Sequence, residues 1–382
     1  MKVRKGLLFA ASLLFIGTGC ASGGGGGTPA SGPGPSGPAP ASSSAADGER
    51  ERSDQFTGAA EEYLDDGFAQ ETIGNQQAAD QAFTEALAQA RLAVENDPTN
   101  PKAHLLLGQA AVENEEWDLA AEAYAEALEL RPAYLEERRA EREQMWIQLY
   151  NEGAPLINEG DYQTAIAIFG AADAVYSERP EIKILLGQLL AQEQEFDRAI
   201  ELQEEARAII ESPRIEEVDS ATAASWMEEA EDIDPRVAQW MLLSERYVDA
   251  IPVLESLVAD HPSNLQYVFS LAGAFGQTEQ ADEAVALYEE VATRSGLSPN
   301  DFVRIGLGLY GLDEFLTAAD VFSQAIELSR YSRDAYEFGA ISLLQIEQQD
   351  SVGLDEEELD QLLEFAEGWV RLDPNSTQAH SA

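Results

Sequence analysis

Residues Pro101 to Pro132 read PKAHLLLGQAAVENEEWDLAAEAYAEALELRP, rich in Ala, Leu and Glu. The stretch places Leu107-Gly108 in one helix, Ala120, Tyr124 and Ala127 in a second, and Pro132 after its end. Each position has a physical reason. Gly108 and Ala120 are small because paired helices approach closely there, Tyr124 and Ala127 fill the seam with the next helix, and Pro132 cannot continue the helix it follows. Pro98 and Pro132 stand one 34-residue interval apart, and the units at Leu149 and Lys183 repeat it.

The same marks recur along the chain. Gly153, Ala165, Phe169 and Ala172 make one copy; Leu186-Gly187, Ala199 and Ala206 the next; Ala250, Leu254, Leu257 and Pro262 another. Ala284, Tyr288 and Val291 continue the series, and Phe302, Ile305-Gly306, Leu309, Ala318, Phe322 and Ala325 complete a further copy. This pattern resembles the tetratricopeptide repeat, with His104 and Ala111 standing where that family has Trp and Tyr. The resemblance implies an all-α, right-handed α-solenoid of about eight helix pairs over residues 54–376, followed by a short tail at 377–382. Divergent units, Phe56 to Pro98 and Ala335 to Pro374, cap the ends, the latter with an insertion around Ser351 to Asp355. Two spacings break the period: the charged stretch Tyr134 to Trp146 is expected to lengthen a helix, and an extra helix is expected around Ala221 to Glu231. Pro252 falls early in a second helix, where its missing N–H is expected to be tolerated.

Upstream of the repeats the composition changes twice. Lys2, Arg4 and Lys5 precede an apolar run, Gly6 to Ile16, that is too short to span a bilayer and has the flanks of a secretory signal peptide, assigned to residues 1–19. The chain's one cysteine follows in Thr18-Gly19-Cys20. This resembles the lipobox of bacterial lipoproteins, except that Gly17 stands where Leu is usual, and implies acylation of Cys20, with the lipid anchoring the protein to a membrane. Ala21 after it resembles an outer-membrane sorting signal facing the periplasm; ordinary cleavage after Ala21 is the alternative. Residues 20–53 then read as a linker, since the Gly-, Pro-, Ser- and Ala-rich stretch Ala21 to Gly48 offers no large apolar side chain to offset the entropy of ordering.

Charge and chemistry narrow the function. With 23 Lys+Arg against 71 Asp+Glu the formal net charge is −48, which excludes nucleic acid as a main partner. The acidity fits either a saline habitat or a basic partner. One cysteine and the scattered His104, His261 and His380 supply neither a disulfide nor a His/Cys metal centre, and no zincin, nucleophile-elbow or Walker sequence is present, so no enzyme, metal or cofactor is expected. Gly306-Leu307-Gly308-Leu309-Tyr310-Gly311 spells a dinucleotide fingerprint but falls inside a repeat helix, where glycines permit close packing. Acidic clusters such as Asp65-Asp66 and Glu356-Glu357-Glu358 lack the spacing of a calcium loop and read as solvated surface.

The resemblance implies instead a groove lined by the first helices that binds protein or peptide segments. Candidate groove residues are Gln109, Tyr150, Asn158, Gln188, Gln192, Gln239, Phe269, Gln277, Asn300 and Tyr310, whose amides can pair with a peptide backbone and whose rings give stiff contact area. The alternative is that several of them, Phe269 and Tyr310 above all, pack between neighbouring repeats. After the signal peptide only Lys102 and Lys183 are lysines, so the cationic clamp that chaperone-binding members use is not expected. The expected function is a lipid-anchored, non-catalytic scaffold for neutral or basic protein segments in outer-membrane assembly, secretion or pilus biogenesis. The alternative is a surface lipoprotein that captures glycan or peptide for an outer-membrane transporter.

Overall fold

The computed structural model describes residues 47–349, 353–376, 378, 380 and 381, all within one compact unit. The expected signal peptide, Cys20 and the linker as far as residue 46 lie outside the described residues, as do 350–352 of the expected insertion.

No strand occurs among the described residues; helices follow one another throughout. In chain order they are α1 (Gln55–Thr72), α2 (Gln76–Asn96), α3 (Pro101–Glu113), α4 (Trp117–Leu130), α5 (Tyr134–Glu137), α6 (Arg139–Glu159) and α7 (Tyr162–Val175). Then come α8 (Pro180–Gln192), α9 (Phe196–Ile210), α10 (Ser220–Glu231), α11 (Ile233–Leu243), α12 (Tyr247–Asp260) and α13 (Leu265–Gly276). The last are α14 (Ala281–Ala292), α15 (Pro299–Gly311), α16 (Phe315–Leu328), α17 (Arg333–Gln349) and α18 (Glu356–Leu372). Setting aside α5 and α10, they form eight hairpins, from α1/α2 to α17/α18. Each hairpin packs on the next, α2 on α3, α4 on α7, α9 on α11 and so on to α16 on α17, which is the stacking of an α-solenoid. The apolar interior divides into two clusters, one from Ala60 to Ala284 and one from Val268 to Trp369, that interleave at α13 and α14.

Two local devices repeat. Six hairpin turns place a residue in the left-handed region, namely Gly74, Glu115, Gly160, Gln194, Glu245 and Asp313. In each, the following N–H donates to the carbonyl five residues back at 2.8–3.0 Å, closing the first helix of the pair with a Schellman bond. The second device is steric. A Cβ on Gly67, Gly108, Gly153 or Gly306 would lie 2.3–2.8 Å from the ring sixteen residues on, that of Phe83, Tyr124, Phe169 or Phe322. In the α8/α9 pair the ring is replaced by Gln203, fully buried, whose amide donates to the Ile184 carbonyl at 3.1 Å. In the last pair the partner of Gly339 is Phe365, ten residues later than the rule, because the insertion intervenes.

Three details depart from expectation. The stretch Tyr134 to Trp146 does lengthen a helix, α6 running 21 residues, but not from its start: it breaks at Arg138, where the Leu135 carbonyl accepts from the buried Arg142 guanidinium at 3.0 Å. Pro252 is the sixth residue of α12, beyond the four N–H groups that a helix start leaves free, so it interrupts the ladder rather than falling where nothing is lost. Residues 48–53, included in the expected linker, are held along the loops of the first repeats. Glu49 N–H donates to the Leu130 carbonyl at 2.7 Å, and Asn100 both accepts from Arg52 N–H at 3.1 Å and donates to the Arg52 carbonyl at 2.8 Å. Gly48 has φ +80°, and a Cβ there would meet the Leu130 carbonyl oxygen at 2.4 Å. The expected extra helix near Ala221 is α10, capped by the Asp219 carboxylate on the N–H groups of Ala221 and Thr222.

Candidate functional site

The first helices differ from the second in charge. In α3, α8, α11 and α15 a single acid is matched by a single base, and α13 carries no charged residue. The second helices α4, α12, α14 and α16 carry only acids, for example Asp118, Glu122, Glu126 and Glu129 on α4. The net charge thus resides mainly on the second helices and the terminal pairs, and the faces of the inner first helices are locally neutral.

On this neutral face α11, α12 and α13 enclose a cavity of about 400 Å³. Its floor is aliphatic, with the buried Ala238, Leu254 and Leu257 and the half-buried Leu242. Its rim is polar and uncharged, with Gln239 and Gln266 exposed and Tyr267 and Ser270 half-buried. Leu243, 58% exposed at the end of α11, completes the wall. Gln266, Ser270 and Gly273 follow at helical spacing along α13, and a Cβ on Gly273 would meet nothing within 4 Å, so the face stays open beyond the cavity. From α15, exposed Arg304 donates to Gln266 Oε1 at 3.1 Å and lies 4.1 Å from the Phe269 ring centroid. Such a lining is chemically suited to a polypeptide: aliphatic walls can take an apolar side chain, and amides and hydroxyls can pair with backbone.

The candidate groove residues fall into two groups. Three rings pack between helices. Tyr150 meets Phe169 of α7 at 6.3 Å, Phe269 is buried against Tyr288 at 6.4 Å, and Tyr310 meets Phe315 edge-on at 5.3 Å. The amides reach solvent to differing degrees: Asn158, Gln192, Gln239, Gln277 and Asn300 are exposed, Gln109 and Gln188 half-buried. The structure brings Gln239 into the cavity beside Gln266, Tyr267 and Ser270, which the sequence reading did not select, and leaves the others apart from it. The signal for the missed residues is the pair Gln266 and Ser270, polar at i and i+4 on an otherwise apolar helix.

Two charged clusters are structural. A second cavity of about 400 Å³ lies beside the inserted α10 and is lined by Arg139, Arg179, Arg214, Glu178 and Glu217 around Tyr176. Its charges pair internally: Arg214 with Glu178, and both Arg214 and Arg139 with Glu217 at 2.9 Å. The Glu217 pairing raises the Arg139 pKa further above its ordinary range. Buried Trp226 donates to Glu181 at 3.0 Å, tying α10 to α8. Further in, Lys183, 4% exposed, bridges Asp173 at 2.9 Å and Glu205 at 2.5 Å, joining α7, α8 and α9. Burial pushes the Asp173 carboxyl up despite that neighbour.

The glycine fingerprint proves to be packing: Gly306 faces Phe322 and Gly308 faces Tyr288 inside α15. Glu356, Glu357 and Glu358 form the first turn of α18, where acids complement the helix dipole beneath the Asp355 capping box. Among the described residues no group of three His, Cys, Asp or Glu is placed to hold a metal ion, and no helix is long and apolar enough to cross a membrane.

Comparison with known proteins agrees with this architecture. Residues 156–221 match one model of the tetratricopeptide repeat, and residues 73–134 and 244–301 match another. No curated protein matches. Among solved structures the chain is similar to YrrB, described as a tetratricopeptide-repeat protein with an unusual peptide-binding site, at 16% identity and TM-score 0.36, covering 56% of this chain and 96% of that one. It is also similar to MamA from Desulfovibrio magneticus RS-1, at 18% identity and TM-score 0.37, covering 49% and 97%. A tetratricopeptide repeat protein from Parabacteroides merdae matches at 16% identity and TM-score 0.28, covering 75% and 99%. Over its described residues the chain is an all-α solenoid, and tetratricopeptide repeats are found in three separate segments of it.

Proposed function

We propose that the protein is a non-catalytic docking scaffold that holds segments of partner proteins on the neutral face of its first helices. The observation that carries this reading is the cavity between α11 and α13, aliphatic within and rimmed by uncharged donors and acceptors, on a chain whose net charge lies elsewhere. Repeats stacked in this way present one continuous surface, which suits them to binding rather than to chemistry. The finer reading keeps the expectations from the N-terminal sequence: Cys20 carries the lipid, the Gly- and Pro-rich segment spans the distance to the repeats, and the partners belong to a bacterial envelope machine concerned with outer-membrane assembly, secretion or pilus biogenesis.

Two experiments test the two levels separately. Crosslinking in intact cells followed by purification of the full chain is expected to recover specific envelope proteins, and recovery of none would remove the scaffold reading. Growth with a labelled fatty acid is expected to label the wild type and not Cys20→Ala; equal labelling of both sinks the anchor and leaves the scaffold standing.

A further inference from the structure

Arg304, like Arg330 and Arg371, pairs with no carboxylate among the described residues, and of the three it is the one beside the cavity wall. Its partners are the Gln266 side-chain oxygen at 3.1 Å and the face of Phe269. Gln266 is also a wall of the apolar cavity, so the guanidinium sits at the cavity's edge. A guanidinium has five N–H donors; with one committed to Gln266, an exposed side chain on the neutral face keeps others for a ligand. By contrast Arg207, Arg214 and Arg246 each hold a carboxylate.

We propose that this cavity and Arg304 form one recognition site for an extended segment of a partner protein in which an aliphatic residue is followed by an acidic one. The inference rests on the scaffold reading and specifies its ligand. The aliphatic side chain fills the space over Leu242, Leu254 and Leu257. The rim amides of Gln239 and Gln266 pair with its backbone, and the neighbouring carboxylate accepts from Arg304 in a charge-assisted, bidentate geometry. This reverses the preference that net charge alone suggests. With a charge of −48 the far field attracts basic segments, but exposed charges are screened beyond about 8 Å at physiological salt, and within that radius the groups on the neutral face decide.

The test is selection of short random peptides, displayed on phage, against the full chain in detergent at physiological salt. Enriched peptides are expected to carry Leu, Ile, Val or Met next to Asp or Glu. Leu243→Asp, at a wall position 58% exposed and therefore tolerated by the fold, is expected to weaken them by about tenfold, whereas Leu328→Asp, equally exposed on α16, leaves them unchanged. Arg304→Gln is expected to erase the acidic preference while the aliphatic one persists. Enrichment of Lys- or Arg-rich peptides, acidic-aliphatic peptides indifferent to Leu243→Asp, or no enrichment at all would each overturn the site. None of these outcomes touches the crosslinking result, so failure of the site and failure of the scaffold are separable.

Discussion

Gly306→Ala isolates the contact that sets how closely two helices of a repeat approach. In a helix interior Ala is favoured over Gly by about 1 kcal/mol. At Gly306 the added methyl would lie 2.6 Å from a ring carbon of the fully buried Phe322, and overpacking of that kind costs about 1–3 kcal/mol. The net effect expected is a loss of up to about 2 kcal/mol. Gly273→Ala on α13 supplies the control, since the methyl meets nothing within 4 Å and is expected to stabilise by about 1 kcal/mol. The assay is urea denaturation followed by far-UV circular dichroism, with hydrogen exchange locating the loss in α15 and α16, because a solenoid need not unfold as one unit. Phe322→Leu opens space for the methyl, so the double variant should be more stable than the sum of the singles by about 1 kcal/mol. If Gly306→Ala stabilises as much as Gly273→Ala, the close approach does not constrain the fold and the reasoning fails.

Other perturbations probe the turns, the ion triad, the arm and the surface. Glu245 holds φ 60°, where a side chain costs about 1 kcal/mol, so Glu245→Gly should raise the unfolding free energy by about 1 kcal/mol, read as a higher urea midpoint. Lys183→Met strands Asp173 without its buried partner and should cost about 3–5 kcal/mol, most of which Asp173→Asn in the same chain should restore; an unchanged midpoint for the single variant refutes the triad's role. In the arm, burial tends to raise the Glu51 and Asp97 carboxyls, but hydrogen bonds from Tyr134 and Arg138 to Glu51, and from Thr99 and Arg52 to Asp97, leave both below their ordinary values of 4.5 and 3.8. Their contribution is therefore full above those values and lost as pH falls through the lower folded-state ones. A spin label at Arg50→Cys in a Cys20→Ser background should stay restrained near neutral pH and become mobile below about pH 4. With a net charge of −48, the melting temperature should climb between about 0.05 and about 1 M monovalent salt, and a flat curve would assign the acidity to a partner rather than to a saline habitat.

Local rules make the repeats readable. A small residue at Gly108, a ring at Tyr124 and a terminating Pro132 each answer to contacts within one hairpin, and they recur with the period of the unit. The pairs, their order and the extra helix near Ala221 follow from them. The break at Arg138 does not, because the Leu135 carbonyl is claimed by Arg142, a side chain in the next helix that also reaches Val175. The arm at 48–53 is equally hidden: Glu49, Arg50, Glu51 and Arg52 carry no apolar period, and its anchors are Asn100 and Leu130, one and two helix pairs away in sequence.

The groove divides along the same line. Gln239 could be proposed from one helix's pattern, but whether a polar residue on a first helix faces open space, a neighbouring ring or another helix's amide depends on how adjacent hairpins stack. For Phe269 and Tyr310 the sequence left groove and packing both open, and the structure packs them between helices; Gln266 and Arg304, on different hairpins, meet only in three dimensions. Periodic burial is written into each hairpin separately, so the primary structure carries it. The recognition surface belongs to the spaces between hairpins, which exist only once each has turned its apolar side onto the next.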